Sequence, residues 1–452
     1  MEDPRAVTTA VSKVRDTPRR ALATVFVIVF IDLVGFGIVI PILPFYVRSF
    51  GANDVVYGLL AASYSLMQFL FAPLLGSWSD RYGRRPVLML SMAGAVLAWV
   101  VFGMGTVVGT ALGSTAAILT LFASRMLGGA MGGNVSTAQA YIADVTSVED
   151  RTGALGLVGA AFGLGFIVGP ALGAVLASTP VVEVASRTLP AFVPTTRFTL
   201  PAFGAATASL LALFATWRFL PEPRTAAQRE QSRATARRSL LGQFRDALGS
   251  VTLRPLVIAF FLASLAFSGV QIAFIPYLAD VYGYNAAQAG LFLTYIGVLS
   301  VLNQGVLVGR LARRIETTRL AGIGAALLVV ALAMLPFSPD IGRILPWLSV
   351  GGLDSAVIVL VLVLALLSVG NALLNVALAA LVSTGASEAE QGSAFGVTQG
   401  AGSLGRTVGP PLMTTLYVVL AQWAPFVAGA LLTVGVVGLL AGIARRLTAS
   451  PS

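Results

Sequence analysis

Long apolar stretches separated by short charged segments dominate the chain. A helix that crosses a bilayer needs about 20 mostly apolar residues, and several stretches between successive charges reach that length. Others reach it when one charged residue, Asp32, Arg125 or Arg406, is included in the helix. The pattern therefore predicts about twelve membrane-spanning helices. They are expected at residues 21–47, 56–79, 86–108, 115–143, 152–178, 198–220, 253–280, 287–310, 319–338, 355–384, 391–420 and 424–444.

The basic residues give the orientation of these helices. If the N-terminus is placed inside, most of the 29 Lys and Arg residues fall in inner segments. The outer segments hold only Arg48, Arg187, Arg197 and Arg343. Because cytoplasmic loops are enriched in Lys and Arg, the sequence predicts a multi-pass protein of the inner (plasma) membrane with both termini in the cytoplasm.

One long polar segment interrupts the apolar pattern at the middle of the chain. It predicts a cytoplasmic linker at residues 221–252, which can include an amphipathic helix on the membrane surface. The expected domains are an N-terminal six-helix bundle with a cytoplasmic tail at residues 1–220, the linker, and a C-terminal six-helix bundle at residues 253–452.

The two halves carry an internal repeat. Residues 43–60 align with residues 275–292 at one constant offset, and residues 151–172 align with residues 391–412, with shared glycine and proline positions. Both matches run in the same direction, and each half is predicted to hold six spans. The expected fold class is therefore an all-α membrane protein of two parallel-repeat bundles, related by an axis along the membrane normal.

Composition narrows the function classes. Only 11% of the residues are charged and 57% are hydrophobic, whereas a soluble domain carries about 25% charged residues. The chain has no Cys and no His, so disulfides, thiolate metal sites and histidine proton relays are excluded. No metal, cofactor or nucleic-acid partner is predicted. We find no nucleophile–base pair or phosphate loop, so an enzyme is not expected.

Two charges inside predicted spans are the first candidates for chemistry. A charge deep in a bilayer costs at least ~2.5–3.5 kcal/mol on insertion scales, so it marks a functional site by default. Asp32 lies near the middle of the first span and can bind a proton, and Arg125 in the fourth span can pair with an acid or change its proton affinity. A structural carboxylate and a fixed ion pair remain the alternatives.

The turn after the second span carries the sequence GSWSDRYGRRP at residues 76–86. Its glycines permit close helix contact and a tight turn, and its arginines can pair with acids on neighbouring segments. Asp144, at the cytoplasmic end of the fourth span, is the expected partner. A basic turn that only sets topology is the alternative. The expected cytoplasmic gate comprises Gly76, Asp80, Arg81, Gly83, Arg84, Arg85 and Asp144.

Small residues recur every fourth position in the fifth span. Gly165, Gly169 and Gly173 line one helix face, and Pro170 introduces a kink. Such spacing permits close packing of two helix backbones in a membrane. These four residues are therefore predicted to have a packing role.

Together these motifs resemble the major facilitator superfamily, and within it the twelve-helix drug:proton antiporters. GSWSDRYGRRPVLM resembles the family's loop motif after the second helix, SRMLGGAMGG its fourth-helix arginine motif, GFIVGPALGA its fifth-helix antiporter motif and IDLVGFGIVIPILP its first-helix motif. AYIADVTSVEDR is similar to tetracycline efflux pumps. The resemblance implies proton-coupled export by alternating access, with Asp32 and Arg125 in coupling and the loop motif in the gate.

The chain also departs from the tetracycline pumps. Ala98 stands where they carry an acid in the third helix, and Arg406 is an added charge in the eleventh span. Arg406 can pair with an acid or hold a carboxylate or phosphate group of a substrate, and the sequence leaves both open. The expected substrate cavity comprises Arg406, Tyr64, Gln68, Gln139, Gln271, Tyr295, Asn303, Gln304, Asn371, Asn375 and Gln399.

The sequence therefore predicts proton-coupled efflux of amphipathic drugs or related small molecules. The alternative is transport of an anionic or lipid-like metabolite anchored by Arg406. A receptor or scaffold that does not transport is a third hypothesis, and it would not need Asp32. The expected partners are a small-molecule substrate, protons and the lipid bilayer, and the chain is expected to act as a monomer.

Overall fold

The computed structural model of the chain is almost entirely helical. It describes residues 4–132, 134–146, 148–190, 192–223, 245, 248–250, 253–385 and 391–449. Most of the predicted linker at residues 221–252, including its amphipathic segment, therefore lies outside the described residues.

Among the described residues, ten helices precede the linker. The apolar stretches fall largely in these helices, because a helix satisfies its own backbone hydrogen bonds inside a bilayer. They are α1 (Pro4–Val39), α2 (Leu43–Arg48), α3 (Asp54–Tyr82), α4 (Arg84–Gly103), α5 (Gly105–Leu112), α6 (Ser114–Met131), α7 (Asn134–Val145), α8 (Val148–Leu176), α9 (Thr179–Thr188) and α10 (Thr199–Phe219).

Seven labelled helices follow the linker. The first four are α11 (Leu253–Tyr282), α12 (Ala286–Leu302), α13 (Thr317–Met334) and α14 (Ser338–Ile344); the last three are α15 (Ser355–Gly385), α16 (Gln391–Val419) and α17 (Ala424–Ala449). A π-helical segment, Asn303–Val308, extends α12 and ends in one further turn, Gly309–Leu311. Short 3-10 turns, Leu335–Phe337 and Pro346–Leu348, flank α14.

Nine helices among the described residues are long and apolar enough to cross a membrane, or ten if a bent pair counts as one span. The bent pair is Gly163–Leu176 with Thr179–Thr188, at an angle of 63°. Helix α16 is long but is not among these nine, since glycine, serine, threonine and Arg406 make it less apolar. The chain is thus an all-helical, multi-pass membrane protein.

The predicted fourth span, at residues 115–143, is not one continuous helix. Helix α6 ends at Met131, Gly132 follows, and α7 begins at Asn134. Glycine lowers helix stability by about 1 kcal/mol relative to alanine, so the GGNV sequence explains the break. The predicted third span, 86–108, is also divided, because α4 ends at Gly103 and α5 begins at Gly105.

The chain separates into two compact units. The first comprises Met1–Leu43 and Met67–Ala236, and the second comprises Pro44–Leu66 and Arg237–Ser452. Residues Pro44–Leu66 precede the linker in sequence but belong to the second unit, and α3 continues from the second unit into the first. The domain limits expected at residues 1–220, 221–252 and 253–452 remain a prediction.

Each unit has its own buried apolar core. In the first unit, buried residues of α1, α4, α7, α8 and α10 form one cluster, which includes Ile28, Leu88, Tyr141, Ala161 and Ala212. In the second, Val257 of α11 packs with Val397 and Ala401 of α16. These cores hold the helices that carry the candidate site residues.

Candidate functional site

Helices α1 and α8 are in backbone contact beside Asp32. A Cβ atom at Gly169 would lie 2.7 Å from the Cα atom of Gly37, and one at Gly165 would lie 2.6 Å from the Cβ atom of Leu33. A Cβ atom at Gly173 would overlap the carbonyl oxygen of Ile38. Only glycine allows this approach, so the spaced glycines hold α8 against the stretch of α1 that follows Asp32.

Pro170 lies in the same contact. Its Cδ atom would be 3.1 Å from a Cβ atom at Gly37, and Pro170 is buried inside α8. The four residues expected to act in packing, Gly165, Gly169, Pro170 and Gly173, thus line or lie next to the α1–α8 contact.

Arg125 is buried between two aromatic rings. Only 7% of the surface of Arg125 is exposed. The Cζ atom of its guanidinium lies 5.8 Å from the ring centroid of Phe36 and 5.5 Å from that of Trp99. Phe36 follows Asp32 by four positions on α1, so the two side chains share one helix face. The structure therefore places the guanidinium next to a side chain one helical turn from Asp32.

Ala98, where the resemblance led us to expect an acid, lies in the same region. The hydroxyl of Ser124 donates a hydrogen bond of 2.8 Å to the carbonyl oxygen of Ala98, and both residues are buried. Ser124 directly precedes Arg125, and Trp99 directly follows Ala98. Ala98 supplies no carboxylate here, and Asp32 lies on α1 one helical turn from Phe36, whose ring lies beside Arg125.

Arg84 joins two carboxylates of the loop motif and the fourth span. Its Nε donates to Oδ2 of Asp144 at 2.7 Å, and its Nη1 donates to Oδ1 of Asp80 at 2.8 Å and to the hydroxyl of Ser79 at 2.9 Å. The Arg84 side chain is 6% exposed. We call Asp80, Arg84 and Asp144 the Arg84 cluster. It is a compact arrangement of charge-assisted hydrogen bonds.

Glu222 adds a contact that the sequence pattern did not indicate. Its carboxylate accepts hydrogen bonds from the backbone N–H groups of Arg84 and Arg85, at 3.0 and 2.9 Å. These two groups open α4, whose N-cap residue Gly83 has no capping side chain. Glu222, which comes just after the end of α10, therefore caps α4, because an anion is favoured at a helix N-terminus.

The other residues of the loop motif have different environments. Gly83 adopts φ +109°, and a Cβ atom there would lie 2.5 Å from Oε2 of Glu222. Arg85 donates through Nη2 to the carbonyl oxygen of Trp217 at 2.5 Å. Arg81 is exposed and makes no hydrogen bond or ion pair with another described residue. A Cβ atom at Gly76 would meet no atom of the described residues within 4 Å, so the close helix contact expected there is not found in this part of the chain.

The expected cavity residues fall into two groups. Several are exposed or half-buried polar side chains: Tyr64, Gln68, Gln139, Gln271, Tyr295, Gln304, Asn371, Asn375 and Gln399. By contrast, Asn303 is buried and donates to the hydroxyl of Ser368 at 3.0 Å. This bond comes from the π-helical segment, a kind of irregularity that is frequent at functional sites. In the first unit, Gln68 donates to the carbonyl oxygen of Gly132. In the second unit, Tyr295 donates to the carbonyl oxygen of Val361.

Arg406 makes few contacts of its own. Its Nη2 donates to the hydroxyl of Ser403 at 2.9 Å, and its residue is exposed. Among the residues that the structure describes, no carboxylate lies within ion-pair distance of Arg406. Of the two roles open for this residue, the pairing with an acid is therefore not seen in the described part of the chain.

A second charge cluster was missed at the sequence level. Arg48 donates through Nε and Nη2 to both oxygens of Asp54, at 2.8 and 2.6 Å, and through Nη1 and Nη2 to both oxygens of Asp280, at 2.7 and 2.8 Å. The hydroxyl of Tyr417 donates to Oδ2 of Asp280 at 2.7 Å. We call Arg48, Asp54, Asp280 and Tyr417 the Arg48 cluster. All four residues belong to the second unit.

The electrostatics of the Arg48 cluster favour the charged form of arginine. Burial alone would lower the pKa of Arg48, but the hydrogen bonds and the charges of Asp54 and Asp280 outweigh burial and raise this pKa. The signal that could have found the cluster is the internal repeat, because Arg48 and Asp280 are separated by the constant offset of the aligned segments.

An all-helical chain with many spans, an intramembrane acid and arginine, and glycine-packed helices defines a multi-pass membrane transporter. The chain belongs to the Major Facilitator Superfamily, which residues 25–410 match. Members of this family move small molecules across membranes and are not enzymes.

Two relatives and one solved structure are informative. The chain is 31% identical over 395 residues to the tetracycline resistance protein, class D, of Salmonella ordonez, which covers 86% of this chain and 88% of that protein. It is 25% identical over 418 residues to multidrug resistance protein 2 of Bacillus subtilis, with 91% and 93% covered. The crystal structure of the human organic anion transporter MFSD10 (TETRAN) is similar with a TM-score of 0.64 and 26% identity, covering 94% and 99% of the two chains.

Proposed function

We propose that this transporter exports amphipathic drugs or related small molecules in exchange for protons. The observation that carries the proposal is the buried Arg125 guanidinium beside Phe36, one helical turn from Asp32 on α1. The similarity to the tetracycline and multidrug resistance proteins supports an efflux direction.

Asp32 and Arg125 would couple proton binding to helix movement. A cation near a carboxylate changes its proton affinity, so proton binding at Asp32 depends on the separation of the two groups. The Phe36 and Trp99 rings exclude water from the guanidinium and strengthen this dependence. A shift of α6 against α1 would then load or release a proton. The backbone contact of α1 with α8 would make α1 move together with α8.

The test uses purified protein in proteoliposomes that contain a pH-sensitive dye. A proton gradient is imposed, and cationic, zwitterionic and anionic amphiphiles are added in turn. We expect a cationic or zwitterionic drug to trigger proton movement in the parent protein. In Asp32→Asn this movement should be lost, because asparagine cannot bind and release a proton.

Asp340→Asn is the matched control. Asp340 is an exposed acid that pairs only with Arg343 at 2.9 Å among the described residues, so its loss should leave coupling unchanged. Full proton movement in Asp32→Asn, or no drug-dependent movement in the parent protein with any compound, would contradict the proposal.

We further propose that the Arg84 cluster gates the cytoplasmic side. Its charge-assisted bonds join the turn between α3 and α4 to the end of α7, which forms the last part of the predicted fourth span. A gate must open and close, and such bonds can exchange with bonds to water when a cytoplasmic path opens. Glu222 would fix the N-terminus of α4 while the gate works.

A second candidate function is transport of anionic or lipid-like metabolites. Arg406 is exposed and lacks a carboxylate partner among the described residues, and Ser403 orients its guanidinium. The human relative MFSD10 is described as an organic anion transporter. If anions alone trigger transport, and Arg406→Gln abolishes it while Arg343→Gln does not, this candidate replaces drug efflux.

The remaining expectations concern the membrane. We infer from the placement of Lys and Arg that both termini are cytoplasmic in an inner (plasma) membrane, and that the protein works as a monomer. Because the chain has no cysteine, Ala444→Cys and Val350→Cys each provide a single thiol for a membrane-impermeant reagent. We expect this reagent to label Val350→Cys from outside the cell and Ala444→Cys only from inside. Labelling of Ala444→Cys from outside would contradict the inferred orientation.

A further inference from the structure

Four arginines fall within ten residues at the turn between α12 and α13. The backbone is tightly folded here, because the N–H groups of Arg314 and Ile315 both donate to the carbonyl oxygen of Leu311, at 3.0 and 2.9 Å. The four side chains therefore leave one compact stretch of backbone. We use the name arginine turn for Arg310, Arg313, Arg314 and Arg319.

The arginine turn has little negative charge around it. Arg310, Arg313 and Arg314 are exposed, and their side chains make no hydrogen bond or ion pair with another residue that the structure describes. Arg319 reaches Glu316 only at 3.7 Å, and these two side chains are 81% and 57% exposed. Such an exposed pair contributes close to nothing. The described part of the chain thus leaves the positive charge of this turn largely unneutralised.

The turn between α3 and α4 is the counterpart in the first half, since it also follows the second predicted span of its half. There, Arg84 donates to Asp80 and Asp144. Glu222 accepts hydrogen bonds from the backbone N–H groups of Arg84 and Arg85. Three carboxylates thus contact two arginines in the first half, whereas the arginine turn has one distant acid for four arginines. An anion from outside the chain would supply the missing negative charge.

An exposed apolar stripe on α13 continues from the arginine turn. Ile323, Ala326 and Val330 follow Arg319 at helical spacing, and all three are exposed. On the opposite face, Leu328 is buried at 1% exposure. Helix α13 belongs to a segment that is long and apolar enough to cross a membrane. The acyl chains of lipids are the apolar partner that a membrane offers to such a stripe.

The end of α12 adds a second apolar surface next to the same turn. Leu302 and Val306 are 53% and 46% exposed, and they lie in the last turns of helix before Arg310. The arginine turn is therefore cationic and is flanked in sequence by two exposed apolar helix faces. This distribution complements a phospholipid, in which an anionic headgroup is joined to two acyl chains.

We propose that the arginine turn binds the phosphate of an anionic phospholipid whose acyl chains lie along the exposed faces of α12 and α13. Guanidinium groups present paired N–H donors that match phosphate oxygens. Each arginine near an anionic membrane surface adds to the attraction. The site requires no drug, no coupled proton and no particular orientation in the membrane, so it is independent of the proposed function.

The experiment measures which lipid lies next to α13. Because the chain has no cysteine, Ala326→Cys provides a single thiol in the exposed stripe for a fluorescent label. The labelled protein is placed in bilayer nanodiscs, where brominated phosphatidylglycerol or brominated phosphatidylcholine with the same chains quenches the fluorescence. We expect phosphatidylglycerol to bind beside the label at least about fivefold more strongly, as for one or more arginines near an anionic headgroup.

Variants of equal charge separate the arginine turn from the general effect of a basic protein. Arg313→Gln combined with Arg314→Gln should abolish the preference for phosphatidylglycerol. Arg187→Gln combined with Arg343→Gln removes two exposed arginines elsewhere and should preserve it. A label at Leu431→Cys should show no preference, because Leu431 is 68% exposed on an uncharged stretch of α17.

Three results would overturn the lipid site. The first is equal quenching by the two lipids at Ala326→Cys in the otherwise unchanged protein. The second is an undiminished preference after loss of Arg313 and Arg314. The third is loss of the preference in inorganic phosphate but not in chloride of equal ionic strength, since the turn would then hold a free anion instead of a lipid.

A second measurement needs no label. Phosphatidylglycerol added to the protein in detergent should raise the melting temperature more than phosphatidylcholine does, because a ligand that binds only the folded state stabilises it. The variant without Arg313 and Arg314 should lose this difference. An equal effect of phosphatidylglycerol on both proteins would reject the site, even if the label at Ala326→Cys disturbed the lipid packing.

Discussion

The Arg84 and Arg48 clusters share one design, an arginine between two aspartates, but they differ in burial and in sequence distance. The Arg84 side chain is 6% exposed and forms an ion pair with Asp80, four positions away in the sequence. Arg48 is 28% exposed, and its second partner is Asp280, in the other half of the chain. The same charge pattern thus occurs in two environments. Loss of one partner costs more free energy in the buried cluster than in the more exposed one.

The partners beyond the aspartates extend this contrast. Glu222 caps the helix that Arg84 begins, so the Arg84 cluster is tied to backbone. Tyr417 donates to Asp280, so the Arg48 cluster continues into a further side chain. We therefore expect mutations around Arg84 to lower the stability of the protein more than mutations around Arg48.

The largest expected effect follows removal of the buried arginine. Arg84→Ala leaves Asp80 and Asp144 facing each other without their common cation. A buried pair that loses one partner costs about 3 kcal/mol, whereas a partly exposed pair costs about 1 kcal/mol, so Arg48→Ala should be milder. Thermal unfolding in detergent and transport in proteoliposomes measure both. Equal losses in the two variants would refute the contrast.

The next effect tests the turn that leads into each cluster. Gly83 adopts φ +109° and ψ 160°, a region that only glycine enters easily, and a side chain there would also meet Glu222. Gly83→Ala should lower the free energy of unfolding by about 2 kcal/mol. Gly51→Ala, at φ +76° with no atom within 4 Å of a Cβ, should cost about 1 kcal/mol. The reverse order of melting temperatures would contradict this reading.

The helix cap should have a smaller effect. Glu222→Ala removes both acceptors from the first turn of α4 and should destabilise the protein by about 1 kcal/mol. Glu222→Gln keeps one acceptor and should lose less. Glu316→Gln is the control, since the exposed Glu316–Arg319 pair is long at 3.7 Å. Melting temperatures of the three variants test this order of destabilisation. An unchanged melting temperature of Glu222→Ala would contradict the capping role of Glu222.

The smallest effect is expected where an ion pair has neither burial nor a second partner. Arg343 and Asp340 have side chains 79% and 61% exposed, and such surface pairs contribute close to nothing. Arg343→Gln should therefore match the parent protein in melting temperature and transport. A clear loss would mean that exposure does not separate the clusters.

The apolar pattern predicted most helices well because a membrane span has to be long and apolar. The helix predicted at residues 355–384 is found at Ser355–Gly385, and the helix predicted at residues 198–220 is found at Thr199–Phe219. Helix α3 runs from Asp54 to Tyr82 rather than over 56–79, since its polar ends remain helical beyond the apolar part. The break at Gly132 and the π-helical segment after Leu302 were missed, because membrane helices tolerate such residues and composition alone does not mark them.

The candidate site shows the same limit. Asp80 and Arg84 are only four positions apart, on either side of the turn at Gly83, so their contact can be predicted from the sequence. Glu222 follows Arg84 by well over a hundred positions and belongs to no repeated motif. Its role depends on where α10 ends, which the fold alone decides. The roles of Asp32 and Arg125 in coupling remain predictions.

Arg48 and Asp280 occupy matching positions of the internal repeat, and their ion pair has a consequence for how such a protein can be built. Two identical, separately encoded subunits would have to present the same residue on both sides of their symmetry axis, so an arginine there would face an arginine. Joining two copies in one polypeptide removes that restriction and lets each side change independently. The Arg48–Asp280 pair is thus a bond that a homodimer of half-length chains could not form, and only the fused architecture makes it available.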